Sequence, residues 1–154
     1  MENIILIKEE LDCDISTAFN LFTVNELLEG WLTDKAEVDP KVGGNYELFW
    51  EPENREINST IGCKITGIET NKFISFNWKG PIDFQSFMNN ADPLTHVIIY
   101  FSYNDIDSKK TTIHLFHTGW RKDSKWQKAR NYFENAWLKS LQGLKEKIKN
   151  RILP

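Results

Sequence analysis

The sequence predicts an α+β fold in which a curved antiparallel sheet wraps around one long C-terminal helix, with two short helices after the first strand. Apolar residues alternate with polar ones in several short segments, which is typical of half-buried strands. In the C-terminal segment they recur every three or four positions, which is typical of an amphipathic helix. The chain has 154 residues, a usual length for one domain, so we expect a single domain over residues 1–154.

The N-terminal region predicts one strand and two short helices. The first strand is expected from Ile4 to Leu11. Asp14 is placed to cap a short helix that buries Ile15 and Phe19, because an aspartate in this position accepts hydrogen bonds from the first helical amides. A second short helix is expected from Asn25 to Trp31.

The middle of the chain predicts an antiparallel run of strands. It ends in a hairpin of Thr95–Asn104 and Lys110–His117, joined by a turn at 105–108. Side chains of one parity in each strand should face inward because successive residues of a strand point to opposite faces. These inward residues are Tyr46, Leu48 and Trp50, then Ile61, Cys63 and Ile65, then Ile74, Phe76 and Trp78, and in the hairpin Val97, Ile99, Phe101, Ile113, Leu115 and His117.

From Ser124 onward the pattern predicts one amphipathic helix of roughly 25 residues. Residues 121–154 carry ten Lys or Arg against three acids, so a basic helix follows an acidic body. We interpret the basic residues as its solvated face, and nucleic-acid binding is not expected because the aromatic residues lie on the apolar stripe, apart from the Lys and Arg. The stripe comprises Trp126, Arg130, Phe133, Trp137, Leu141, Leu144 and Ile148.

The cysteines and the N-terminal residues argue against several kinds of site and segment. Cys13 and Cys63 are the only cysteines, and with no Cys-x-x-Cys motif and no histidine pair at ligand spacing they indicate neither a zinc site nor a disulfide framework. We expect no metal and no cofactor. The apolar run Ile4–Ile7 is too short for a signal peptide or a membrane span, so we expect a cytoplasmic protein.

Five segments, in this order, carry a family resemblance: Phe22–Trp31, Val42–Gly44, Ile74–Trp78, Thr95–Phe101 and Thr111–Trp120. Taken over these five segments, the sequence resembles the Hsp90-ATPase-activator homologue (AHSA1-like) family of the START-like (SRPBCC) superfamily. The resemblance implies the helix-grip (START-like, Bet v 1-like) fold and a cavity between the sheet and the long helix. It fixes no chemistry, since the superfamily includes lipid and hormone binders, polyketide cyclases and co-chaperone domains.

The candidate ligand site is the aromatic set that would surround such a cavity. Ring count alone does not separate a packed core from a pocket, so the expectation of a pocket depends on the resemblance. Residues 79–94 form a segment longer than expected for the family, interpreted either as a lid or as a loop packed over the sheet edge. The proposed ligand-binding residues are Trp31, Trp50, Trp78, Phe84, Phe87, Met88, Phe101, His117, Trp120, Trp126 and Phe133.

Three functions compete on this sequence. The first is binding of a small apolar or aromatic ligand, oriented by polar groups such as His117 and Tyr132. The second is a cyclase-like or hydrolase-like enzyme that uses His117 as general acid or base, although the favoured interpretation of the same histidine is a structural group at the strand end. No nucleophile motif is present. The third is an interaction module with a chaperone or homodimer contact.

Overall fold

The computed structural model describes residues 3–104 and 106–151, and Met1, Glu2, Asp105 and residues 152–154 lie outside that part. The predicted turn at 105–108 therefore includes one residue outside the described part. The elements in chain order are β1 Ile5–Leu11, α1 Ile15–Leu21, α2 Asn25–Leu28, β2 Lys35–Val38, β3 Tyr46–Phe49, β4 Ile65–Glu69, β5 Phe73–Trp78, α3 Gln85–Met88, β6 Thr95–Tyr103, β7 Thr111–Thr118 and α4 Ser124–Lys149.

Five strands form one antiparallel sheet in the order β1-β7-β6-β5-β4, and β2 pairs with β3 in a separate two-stranded sheet. The first strand thus lies beside the last one, with Ile5 opposite His117. In β5, β6 and β7 the residues predicted to face inward are all buried, which confirms the period-two interpretation. The α+β fold with a curved antiparallel sheet around a long C-terminal helix is confirmed.

The short helices join the sheet through specific polar contacts. Asp14 caps α1 as predicted, since its carboxylate accepts a hydrogen bond from the Thr17 amide at 2.8 Å. Tyr46 of β3 donates its hydroxyl to the carbonyl of Phe22, just after α1, at 2.7 Å. The Tyr46 ring stacks on Phe76 of β5 with centroids 3.8 Å apart. Tyr46 therefore links the two-stranded sheet, α1 and the main sheet.

The long helix α4 begins at Ser124, as the periodicity predicts. Asp123 caps it by accepting a hydrogen bond from the Trp126 amide at 3.1 Å. Arg130, expected on the stripe, lies at its edge, where its guanidinium binds Glu134 and the carbonyl of Ile4. In the described part of the chain, no helix is both long and apolar enough to cross a membrane. The buried residues of α4 are Trp126, Ala129, Phe133, Trp137, Leu141 and Leu144.

Four elements differ from the sequence-based expectations. Strand β2 was not predicted. It has only four residues, of which Ala36 and Val38 are buried, so its alternation is too short to recognise in the sequence. The helix α3 lies within the segment expected to be a loop. α2 ends at Leu28, shortly before Gly30, a poor helix former.

The fourth difference is the start of β4 at Ile65 instead of Ile61. Gly62 has a φ of +83°, in the left-handed region that favours glycine, so the chain turns here before it pairs. Cys63 and Ile65 are still buried, as the alternation predicted. The period was therefore correct and the extent of the strand was wrong.

Candidate functional site

A cavity of about 420 Å³ lies between the ends of β3 and β5 and the middle of α4. Its volume falls within the roughly 300 to 1,000 Å³ that is usual for small-molecule sites. We call it the α4 cavity. It is lined by Leu32, Trp50, Asn58, Ser59, Trp78, Lys79, Gly80, Pro81, Tyr132, Phe133, Ala136, Trp137, Lys139 and Ser140.

Five aromatic side chains line the α4 cavity, and four of them, all except Tyr132, form a cluster centred on Trp78. Trp78, the last residue of β5, lies at the centre, with ring centroids 6.0 Å from Trp50 and 5.2 Å from Trp137. Phe133 lies 6.4 Å from Trp78 in an edge-to-face arrangement. Phe133 and Trp137 are four positions apart on α4, so they share one face of the helix. The Trp50 indole N–H donates to the carbonyl of Leu32 at 2.9 Å, which fixes that ring.

The indole nitrogen of Trp78 has no hydrogen-bond partner among the described residues, although the side chain is only 3% exposed. Leaving a buried donor unpaired costs about 1 to 3 kcal/mol. The indoles of Trp50 and Trp137 both have partners. One residue of the cavity wall therefore carries a buried donor that the described residues leave unpaired.

His117 lies at the end of β7, with both ring nitrogens engaged. Its Nδ1 accepts a hydrogen bond from the Trp137 indole at 3.1 Å, and its Nε2 lies 3.1 Å from the Thr95 hydroxyl. An indole N–H can only donate, so Nδ1 must carry the lone pair and Nε2 the proton. Its backbone carbonyl accepts from the Trp120 indole at 3.0 Å. His117 is thus held as one neutral tautomer.

The environment of His117 favours a structural role. The pKa of His117 is lowered from 6.5 to about 3, mainly by burial and to a smaller extent by the nearby His96. The side chain is fully buried and is not part of the wall of the α4 cavity. A neutral imidazole without a free nitrogen is poorly placed to move protons on a ligand. Of the two interpretations of His117, a general acid or base and a structural group, this environment favours the structural group.

The predicted ligand-binding residues separate into groups. Trp50, Trp78 and Phe133 line the α4 cavity. Trp31 and Phe101 instead pack against Phe22, with ring centroids 5.0 and 5.5 Å away, at a place outside the cavity wall. The third group adjoins Phe133 and consists of His117, Trp120 and Trp126, with Trp120 4.6 Å from His117 and 6.3 Å from Trp126.

Residues 79–94 pack against α4. Phe84 lies 5.3 Å from Tyr132 and Phe87 lies 5.1 Å from Trp126, measured between ring centroids. Met88 is fully buried. The backbone of Gly80 exchanges two hydrogen bonds with the Asn89 side chain, at 2.7 and 3.2 Å. This segment supplies Gly80 and Pro81 to the cavity wall, while its aromatic rings cover neighbouring parts of α4.

Several lining residues were missed by the sequence reasoning, above all the polar ones at 58–59, 79 and 139–140. A usable signal was present in α4. Tyr132, Ala136 and Ser140 are spaced four apart, so they form one row along the helix. The two small residues in that row leave room beside Trp137, where larger side chains would have filled the cavity.

The two cysteines carry no catalytic signal. Burial raises the pKa of the Cys13 thiol to about 11 and that of Cys63 to about 12, so both stay protonated at neutral pH. Both thiols are free. Over residues 3–104 and 106–151, no three His, Cys, Asp or Glu side chains are grouped as metal ligands.

Solved structures with this architecture are numerous, and three of them cover nearly the whole chain. A Mesorhizobium loti protein has a TM-score of 0.73 at 15% identity, covering 97% of this chain and 98% of its own. An HSP90 activator from Plasmodium falciparum has a TM-score of 0.70 at 24% identity, with 98% and 97% covered. The Aha1 dimer from Colwellia psychrerythraea has a TM-score of 0.69 at 14% identity, with 96% of each chain covered. At these identities the likeness shows the fold.

A comparison with curated protein sequences finds no match. A family model, by contrast, matches residues 12–149, which is most of the chain and includes every element from α1 to α4. Its description is activator of Hsp90 ATPase homolog 1-like protein. The helix-grip fold and the family resemblance of the sequence are thereby confirmed. This chain belongs to the activator of Hsp90 ATPase homolog 1-like family.

Proposed function

We propose that this protein binds a small apolar or aromatic molecule in the α4 cavity. The observation that carries the proposal is the aromatic-walled cavity of about 420 Å³. Binding sites for small molecules are typically apolar concavities with a few placed polar groups. The ligand binders of the wider superfamily that the sequence resembles support the same function.

The wall is suited to a flat apolar ligand because its rings are already fixed. Trp137 is held by His117, and Trp50 by the carbonyl of Leu32. Side chains that are ordered before binding lose little further conformational entropy, so more of the contact energy appears as affinity. Burial of apolar surface contributes about 25 cal/mol for each Å² removed from water.

The neutral fluorophore phenyl-naphthylamine is expected to bind the wild-type protein saturably at one site and to quench tryptophan emission. The variant Ala136→Phe should weaken this binding at least about tenfold, because a ring added at a lining position occupies the cavity. Fluorescence titration of both proteins checks the expectation.

Asn135→Phe is the matched control, since Asn135 is the exposed neighbour of Ala136 on α4 and does not line the cavity. It should bind the fluorophore like the wild type. Absence of saturable binding across a diverse library of apolar compounds would refute the proposal. Equal affinities in Ala136→Phe and wild type would place the binding elsewhere.

A second candidate function, contact with an Hsp90-type chaperone, is supported by the outer face of the sheet. There Leu6 is 56% and Tyr100 47% exposed. Phe116 pairs with Leu6 across β1 and β7, and its ring lies 6.0 Å from that of Tyr100. Exposed apolar groups in continuous contact are typical of interaction surfaces. The description of the family and the name of the Plasmodium falciparum neighbour indicate the partner.

If this contact exists, purified Hsp90 should bind the protein, and the double variant Leu6→Gln with Tyr100→Gln should bind at least about tenfold more weakly, since central apolar contacts carry most interface energy. Tyr103→Gln, an exposed tyrosine at the end of β6, is the control. Calorimetric titration gives the affinities. No binding by wild type would contradict this function, and self-association on light scattering would assign the face to a homodimer instead.

A further inference from the structure

We infer that the α4 cavity selects an anionic ligand, an apolar or aromatic body that carries a carboxylate or a similar acidic group. The inference rests on the proposed function and names the ligand class for the same site. It follows from the polar groups that surround the aromatic wall, which offer hydrogen-bond donors and positive charge.

Two lysines line the α4 cavity from opposite sides. Lys79 follows Trp78 in the chain and is half-buried, and its ammonium donates one hydrogen bond, to the carbonyl of Ile61 at 2.6 Å. An ammonium has three donors, so two remain. Lys139 is exposed on α4 at the rim. Among the described residues neither lysine has a carboxylate within 4.0 Å.

Among the described residues that line the wall there is no Asp or Glu to balance these charges. Asn58 and Ser59 of the wall already use their side-chain oxygens in hydrogen bonds within the protein. The Asn58 side-chain oxygen accepts from the Ile82 amide at 2.8 Å, and the amide end of Asn58 binds Glu51. The Ser59 hydroxyl donates to the carbonyl of Arg55 at 2.6 Å and accepts from the Ile61 amide. These groups offer little to a ligand that needs acceptors.

The charged donors that the wall leaves available are those of Lys79 and Lys139. A ligand oxygen with negative charge can satisfy such donors with charge-assisted hydrogen bonds, about twice as strong as neutral ones. Because Lys79 is half-buried, a bond to its ammonium is less screened by solvent than one to the exposed Lys139. A cationic ligand would meet two like charges and no carboxylate among the described lining residues, so the cavity disfavours it.

Two fluorophores that share one ring system test this. Anilinonaphthalene sulfonate carries an acidic group, and phenyl-naphthylamine is the same ring system without it. In the double variant Lys79→Met with Lys139→Met, the affinity for the sulfonate should fall about tenfold or more, because two attractive charges are removed. The affinity for the neutral fluorophore should stay within about twofold, since the aromatic wall is unchanged.

The control is Lys122→Met with Lys128→Met, two exposed lysines outside the cavity wall, which should leave both affinities unchanged. The single variant Lys139→Met changes only an exposed side chain, so it folds whatever the role of the Lys79 hydrogen bond. It should weaken sulfonate binding by about threefold, as expected for a solvent-exposed charge.

The outcomes separate the inference from the proposed function. If neither fluorophore binds the wild type, the ligand-binding proposal fails and this inference fails with it. If both bind and the lysine variants leave the sulfonate affinity unchanged, or weaken both fluorophores equally, the cavity binds ligands without selecting anions. Selective loss of the sulfonate supports the inference.

Discussion

Replacing Trp137 with alanine is expected to lower the free energy of unfolding by about 3 to 5 kcal/mol, the usual cost of truncating a large core ring. Trp137 is 2% exposed, packs against Trp78 and donates its indole N–H to His117. Because it also borders the α4 cavity, truncation would enlarge an existing space that the surroundings cannot collapse to fill. Urea unfolding monitored by circular dichroism measures the change.

Two further variants make this result interpretable. Trp137→Phe keeps a ring but removes the donor to His117, so it should cost less than the alanine variant, about 1 to 3 kcal/mol. Leu138→Ala changes the next residue, which is 42% exposed, and should cost well under half of the Trp137→Ala effect. A loss below about 1 kcal/mol for Trp137→Ala would show that its packing contributes little.

The phase of the secondary structure could be predicted from the sequence because it depends on local periodicity. The start of α4, its buried stripe and the inward faces of β6 and β7 all follow from repeats of 3.6 or 2 residues. Where the pattern is short or broken, as in β2 or at Gly62, it predicts little. Short elements depend on tertiary pairing that a single segment does not encode.

The location of the cavity could be predicted only in part. Trp78 and Phe101 both face inward from neighbouring strands. Trp78 borders the cavity, whereas Phe101 packs against Phe22 and Phe19. Alternation predicts on which face of the sheet a side chain lies. Whether that side chain borders the cavity depends on which helix packs over its part of the strand. Phe101 lies opposite α1. Trp78 instead packs against Phe133 and Trp137 of α4 and shares the cavity wall with the small residues Ala136 and Ser140.

The polar groups were harder to predict because their role depends on what their neighbours leave free. Lys79 and Lys139 are two of many lysines in the sequence, and nothing in their local context separates them from solvated residues. The structure separates them because they line an aromatic wall that has no acid. Likewise, the alternation in β7 predicts that His117 faces inward. It does not predict the hydrogen bonds of its ring, because Thr95 and Trp137 come from distant parts of the chain.

His117 should make the stability of the fold depend on acid. The neutral imidazole is favoured in the folded state, where its pKa is lowered to about 3, against 6.5 in the unfolded chain. As the pH falls below 6.5 the unfolded chain takes up the proton first, so the stabilising contribution of this group is complete above that pH and is lost progressively toward pH 3. The slope for one proton is at most about 1.4 kcal/mol per pH unit, reached between the two pKa values.

The variant His117→Gln tests this, because glutamine can offer one acceptor to Trp137 and one donor to Thr95 without titrating. Between pH 6.5 and pH 4.5, a range above the ordinary pKa of carboxyl groups, the wild type should lose roughly 2 to 3 kcal/mol more than His117→Gln does. His114→Gln, on the outer face of the same strand, should keep the wild-type slope. Urea unfolding at several pH values gives the slopes. Parallel slopes in the wild type and His117→Gln would mean that His117 is protonated in the folded protein, which would remove its bond from Trp137 and reopen its role as a proton donor.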